Sequence, residues 1–255
     1  MISSPCWKMW PPRPHRASLM PMRKTILVTA ALALAAAPAV SRDREDQRNG
    51  IGYANPSQVI AAEIAFARLA QEKGQWTAFR ATATKNAVMF VPQPVYAQEF
   101  LKGKADPAKA VAWQPHQVWS SCDGSAAITR GAWQRADGTS GYFTTVWQRQ
   151  KDGKYKWVLD QGDALPMPLD PPEMISAKVA DCPQGYRPGH GPKPQNFKGK
   201  LPPLDPAGIA GRSLDGSLAW NTAVSPDGAR RFVVTMTMDG APTTVQDLQV
   251  EAPAK

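Results

Sequence analysis

The stretch WQPHQVWSSCDG, residues 113–124, gathers a histidine, a cysteine, an aspartate and two tryptophans. Histidine is the usual general base and a common metal ligand, so His116 is the first residue to weigh. A metal centre needs several ligands at suitable spacing. No HxH, HxxxH or CxxC spacing occurs in the chain, and beyond residue 41 the only other histidine, His190, sits in the loop-like RPGHGPKP. No metal site is expected, and a strand role for His116 outweighs a catalytic one. Among the carboxylates, Asp160 and Asp163 of WVLDQGD lie three apart, which in a regular strand puts them on opposite faces. They cannot form a simple dyad. Asp160 shares a face with Val158, and a carboxylate buried there would have a raised pKa and could act as acid or base. Pairing with Arg130, or a strand-end turn role, is the more ordinary alternative. Ser120-Ser121-Cys122 carries no triad signature, and GDALP and GIAG match neither GxxxxGK[ST] nor GxGxxG. Nothing therefore calls for a nucleotide, a flavin or any other cofactor. The catalytic candidates that survive are Asp160, His116 and Tyr142.

Periodicity indicates the elements that position these residues. Asn55 is a suitable N-cap and Pro56 a suitable first helical residue. Val59, Ala62, Phe66, Leu69 and Ala70 recur at helical spacing until Gly74. A second helix carries Trp76, Phe79 and Ala83, a strand follows at 87–91, and 97–103 reads as short helical turns. Asp-Gly pairs at 123–124, 137–138 and 152–153 separate four β-prone runs, 113–121, 126–135, 140–150 and 154–162. Asp-Gly between such runs is a hairpin signal, so the runs read as an antiparallel meander. If each pair forms a two-residue loop, Trp119, Ile128, Trp147 and Val158 line up on one face with Trp113, Phe143 and Asp160. His116, Trp133, Tyr142 and Trp157 then share the other face, and a bulge near Pro115 would change this locally. With Phe79 and Phe90, the first face (Trp113, Trp119, Phe143, Trp147) could line a pocket for a flat apolar ligand. Core and interface packing accounts for the same aromatics equally well.

The formal charge of +9 belongs mostly to residues 1–41, which hold five bases and no acid; the rest has 25 bases and 21 acids, a net of +4. That balance gives no nucleic-acid footprint. MRKTILVTAALALAAAPAVS, from Met22, has the layout of a secretory signal peptide. Its apolar run, Ile26 to Ala37, is shorter than the about 20 residues a membrane span requires. Export with cleavage after Ala39 or Ser41 is therefore expected, to the periplasm or outside the cell, without stable membrane insertion. Translation is expected to start at Met22 or Met20, leaving 1–21 unused. Cys122 and Cys182 remain, in a compartment that permits a disulfide between them. Residues 42–53 read as a flexible start, 54–165 as one domain, 166–212 as a linker holding eleven of the 25 prolines, and 213–251 as a small meander with Asp-Gly pairs at 215–216, 227–228 and 239–240. Three short strands hardly stand alone, so the meander is expected to dock on the first domain or on another chain.

The fold class is α+β. Residues 54–163, through AEIAFARLAQEKGQWTAFRATATKNAVMFVP and GAWQR…GYFTTVWQRQKDGKYKWVLDQGD, resemble the nuclear transport factor 2-like superfamily, which includes ketosteroid isomerase and SnoaL-like polyketide cyclases. The resemblance implies a curved sheet wrapped round the helices as a cone with an apolar pocket, and a homodimer formed through the sheet's other face. It does not bring a catalytic set with it. The early strand that carries the isomerase aspartate reads NAVMFVPQPV here, without an acid, and the paired histidines of scytalone dehydratase lack a partner for His116. The reading is an exported protein that binds a small apolar molecule. Its alternatives are a cofactor-free isomerase, dehydratase or hydrolase, and an assembly module acting through its sheet face.

Overall fold

The computed structural model describes residues 53–252. The expected leader with its signal-peptide layout, and the rest of the stretch up to residue 52, lie outside the described residues. Helix α1, Pro56–Lys73, begins where proline's missing N–H costs nothing. Asn55 precedes it without a side-chain cap; its carbonyl accepts the Gln58 N–H. Gly74 ends the helix at φ +106, and a Cβ there would overlap the Asp106 carboxylate, which instead accepts from the Thr77 N–H and hydroxyl. Helix α2, Gln75–Thr82, runs directly into β1, Ala83–Phe90, which starts four residues earlier than expected. A short β2, Pro94–Tyr96, folds back on β1, and α3 spans Ala97–Phe100.

The four expected β-prone runs form β3 (Ala112–Ser120), β4 (Ala126–Gln134), β5 (Ser140–Arg149) and β6 (Tyr155–Leu165), paired antiparallel in sequence. The Pro-rich stretch is more than a connection, because it contributes β7 (Ser176–Val179), parallel to β3. The result is a mixed seven-stranded sheet in the order β2-β1-β6-β5-β4-β3-β7. The same stretch supplies β8 (Ala210–Arg212), which joins β9 (Leu218–Val224), β10 (Arg230–Met238) and β11 (Ala241–Val250) in a second sheet, ordered β11-β10-β9-β8.

Register decides which side chain meets which layer. Only Asp239-Gly240, with φ +52 and +75, makes a two-residue loop, joining Met238 to its partner Ala241. At Asp137-Gly138 and Asp152-Gly153 the flanking bonds are Arg135 N–H to Thr139 C=O and Gln150 N–H to Lys154 C=O. Each loop therefore holds three residues, with glycine in the left-handed region, the second common hairpin form. The extra residue shifts β5 by one position and turns Trp147 to the face opposite Trp119. Ile128 consequently pairs with Val146 rather than Trp147. Bulges add to the change. His116 is the extra residue of β3, and Val158 that of β6, where Val146 faces Leu159 and Trp147 faces Trp157.

The sheet thus separates two apolar cores. On its helix side, Trp147, Trp157, Ala127 and Val118 pack with Val59, Phe66 and Ala70 of α1 and Ala78 of α2. On its far side, Trp119, Ile128, Val146 and Leu159 pack against Leu218, Trp220, Phe232, Val234 and Met236 of the second sheet. The meander does dock on the first domain. In doing so it fills the face through which the resemblance implies a homodimer, so that face is not open to a second copy.

Two turns clasp the sheets together. Ser121-Cys122-Asp123-Gly124-Ser125 and Ser213-Leu214-Asp215-Gly216-Ser217 share a pattern and the same internal bonds, in which the aspartate carboxylate accepts from the first serine's hydroxyl and from the second serine's N–H. They then bond each other: Cys122 N–H to Ser217 Oγ at 2.9 Å, Asp123 N–H to Asp215 Oδ2 at 2.9 Å, and Leu214 N–H to Ser125 Oγ at 2.8 Å. Cys122 also forms the disulfide with Cys182, which joins the first of these turns to the chain just beyond β7. No helix among the described residues is long and apolar enough to cross a membrane.

Candidate functional site

A cavity of ≈ 340 Å³ opens on the helix side of the seven-stranded sheet. Helices α1 and α2 contribute Phe66, Trp76 and Phe79, and the strands contribute Trp113, Phe143 and Asp160. The rings meet edge to face, with Phe66 4.8 Å from both Phe79 and Trp113, and Phe79 5.8 Å from Trp157. This is the preferred geometry for aromatic pairs, and it makes a rigid apolar wall. Trp133 lines the cavity with Arg135, whose guanidinium lies 4.6 Å from its ring.

Asp160 interrupts that wall. Its side chain is half-buried and borders the cavity. Its partner is the Thr145 hydroxyl on β5, donating to Oδ2 at 2.8 Å. Burial penalises the charge and pushes the pKa up to about 7; the Thr145 bond opposes the rise, and the negative charge of Glu63 adds to it.

Glu63 is the residue the sequence reading missed. It sits on α1, wholly buried, with three donors on its two oxygens. Trp113 Nε1 donates to Oε1 at 2.8 Å, while Thr129 Oγ1 at 2.6 Å and Trp147 Nε1 at 2.9 Å donate to Oε2. Burial raises its pKa and these bonds hold the rise back. An indole offers only a donor, so the two tryptophans require an acceptor at this depth, and Glu63 supplies it. Its signal was present in the sequence: Val59, Glu63, Phe66 and Ala70 follow the helical period, placing an acid on the apolar stripe.

Strand pairing joins the two carboxylates. Thr129 pairs with Thr145 and Thr145 with Asp160, side by side across β4, β5 and β6. The Thr129 hydroxyl reaches both Glu63 and, at 3.3 Å, the Thr145 carbonyl. A polar row thus runs from the Glu63 carboxylate, deep under α1, to the Asp160 carboxylate on the cavity wall. Such a row can recognise a hydrogen-bonding group on an otherwise apolar ligand, or accept and release a proton near neutral pH.

Of the residues singled out from sequence, the structure brings Phe79, Trp113, Phe143 and Asp160 together around the cavity. Trp147 lies behind them, fully buried on Glu63. Trp119 and Phe90 are elsewhere, packed in the far-side core, because Trp119 stands one residue out of step with the wall. Tyr142 is also on the far side, with the Arg130 guanidinium 5.3 Å from its ring. His116 is buried in its bulge, and burial, then the charge of Arg130, pushes its pKa below the usual histidine value. Neither residue lines the cavity. Among the described residues no group of three or more His, Cys, Asp or Glu could hold a metal ion.

No protein-family model and no curated protein matches the sequence. Among solved structures, the chain is similar to a provisionally assigned ketosteroid isomerase from Parabacteroides distasonis, at 14% identity and TM-score 0.36 over 45% of this chain and 96% of that one. It is similar to a nuclear transport factor 2-like protein of unknown function from Shewanella baltica, at 15% identity and TM-score 0.34 over 44% and 98%. The CaMKII hub of S. rosetta is similar at 18% identity and TM-score 0.34, again over 44% and 98%.

Proposed function

We propose that this is an exported protein that binds a small, largely apolar molecule in the helix-side cavity, with Asp160 meeting the ligand's polar end. The observation that carries this reading is a half-buried carboxylate set among Phe79, Trp113 and Phe143 on the cavity wall. An apolar pocket with one well-placed polar group is the usual form of a small-molecule site. The Cys122–Cys182 disulfide supports export, since such bonds persist in oxidising compartments. Tryptophan fluorescence and native mass spectrometry against a library of flat apolar compounds test the proposal. A saturable response that weakens in Phe143→Ala is expected; silence across the library would overturn it.

One observation favours a second reading, cofactor-free proton transfer. A carboxyl held at about 7 is half ionised at neutral pH, where an acid–base catalyst works best. With Asp160 as base, deuterium exchange at the carbon next to a cyclic ketone should speed up as pH rises through about 7, and Asp160→Asn should abolish the gain. Exchange no faster than in buffer at every pH would remove this reading.

A further inference from the structure

The far side of the seven-stranded sheet carries a second polar row. Arg130 pairs with Gln117 and Thr144, and Thr144 with Gln161, across β3 to β6. Buried polar groups almost always find partners. Here Arg130 Nε, Thr144 Oγ1 and Gln161 Nε2 have none, and neither do their neighbours Tyr142 Oη and His116 Nε2. Thr144, Gln161 and Tyr142 are each more than nine-tenths buried. Arg130 lines a cavity of ≈ 490 Å³ between the two sheets at the β3–β7 edge. Gln246 of β11 enters the same cavity, 7% exposed, with its amide oxygen unpartnered. A glutamine amide can present either end, so it can serve a ligand as donor.

The charges around this cavity are unbalanced. Arg130 and Lys178 line it, and both are cations. The one acid there, Asp247, is engaged by Arg231 in a salt bridge. Arg130 has no carboxylate partner among the described residues; what it has is the face of Tyr142. Thr144, Gln161 and Tyr142 continue the row behind the cavity and do not line it; on its wall, a half-buried guanidinium with a free N–H beside the Gln246 amide and the Lys178 ammonium matches an oxyanion.

We propose that this inter-sheet cavity is a second site, separate from the helix-side cavity, for a small molecule bearing a phosphate or carboxylate group. Arg130 is its central donor, Gln246 reaches it from the second sheet, and Lys178 adds positive charge on β7. The site exists only because the C-terminal meander covers this face.

Calorimetric titration of the full mature chain with inorganic phosphate and with succinate, against chloride at equal ionic strength, tests the proposal. Saturable binding of at least one oxyanion is expected, and which one binds distinguishes a phosphate from a carboxylate ligand. Arg130→Met should weaken it at least tenfold and Lys178→Gln about threefold, while Asp160→Asn should leave it unchanged. Lys178 is exposed on its strand, so its variant reports even if Arg130→Met fails to fold. Equal response to all three salts, or binding unaltered in both variants, would overturn the site and leave an adventitious ion only.

Discussion

On β4, β5 and β6, Thr129, Thr145 and Asp160 face the helices, while their chain neighbours Arg130, Thr144 and Gln161 face the second sheet. One pleat reverses the chemistry. The helix-side row joins two carboxylates, and the chain itself supplies donors to both, from Trp113, Trp147, Thr129 and Thr145. The far-side row is cationic and rich in donors, several of them without an acceptor. The difference lies in what covers each face. Helix α1 brings a side chain, Glu63, that completes its row. The second sheet brings mainly apolar residues, with Arg230 donating to Gln161 Oε1 and the Gly162 carbonyl. One face is self-contained around an apolar cavity, and the other has unsatisfied donors that an outside group can use.

Cutting the cross-link beside the turn clasp should have the largest effect. Cys122 and Cys182 are 60 residues apart, and losing such a cross-link costs roughly 4 kcal/mol in the chain-entropy model. Cys122→Ser with Cys182→Ser should lower the urea midpoint accordingly, and reductant should then have no further effect on it. Breaking the helix-side row comes next. Glu63→Ala leaves the Trp113 N–H without an acceptor in the core, and leaves Trp147 and Thr129 only their longer bonds to Thr129 Oγ1 and the Thr145 carbonyl, at a cost of about 3 kcal/mol. Glu63→Gln, which keeps an acceptor, should lose about half as much by the same reasoning. Equal losses would mean that the charge, rather than the acceptor, holds the row together.

The pH dependence sharpens the contrast. Asp160 has its pKa raised from 3.8 in the unfolded chain to about 7 in the fold. The fold therefore disfavours its ionised form: stability is full below about pH 4, falls as pH rises toward 7, and stays reduced above. The raised pKa sets an upper bound of about 4 kcal/mol, which solvent at this half-buried carboxyl roughly halves, so Asp160→Asn should be about 2 kcal/mol more stable than the parent at pH 8, with the difference vanishing below about pH 4. Chemical denaturation across pH measures it, and a pH-independent difference would count against a raised Asp160. The smallest effect belongs to the turn clasp. Ser217→Ala leaves the Cys122 N–H unpaired and should cost about 1 kcal/mol in the same assay.

Much of this was legible in the sequence. The Asp-Gly pairs mark every hairpin of the first meander, and Cys122 and Cys182 do pair; the sequence allowed Asp160 to face inward but favoured a pairing or turn role for it. The assignment of side chains to faces failed where loop length failed. An Asp-Gly pair signals a hairpin but does not say whether two or three residues form its loop, and one residue is enough to send Trp147 away from Trp119. Glu63 went unnoticed because its reason for being buried lies in Trp113 and Trp147, which are 50 and 84 residues away. The clasp, too, was written twice, as SCDGS and SLDGS, but only the packed structure puts the two copies against each other. The far-side site depends on which face the meander covers, which local pattern does not encode.

Both functional readings of the helix-side cavity turn on the protonation of Asp160. Carbon-13 NMR of the Asp160 side chain across pH, assigned with Asp160→Asn, measures this directly. A titration midpoint close to 7, moving when an apolar ligand fills the cavity, is the expected result. A midpoint at the ordinary aspartate value of about 4, indifferent to ligand, would contradict it.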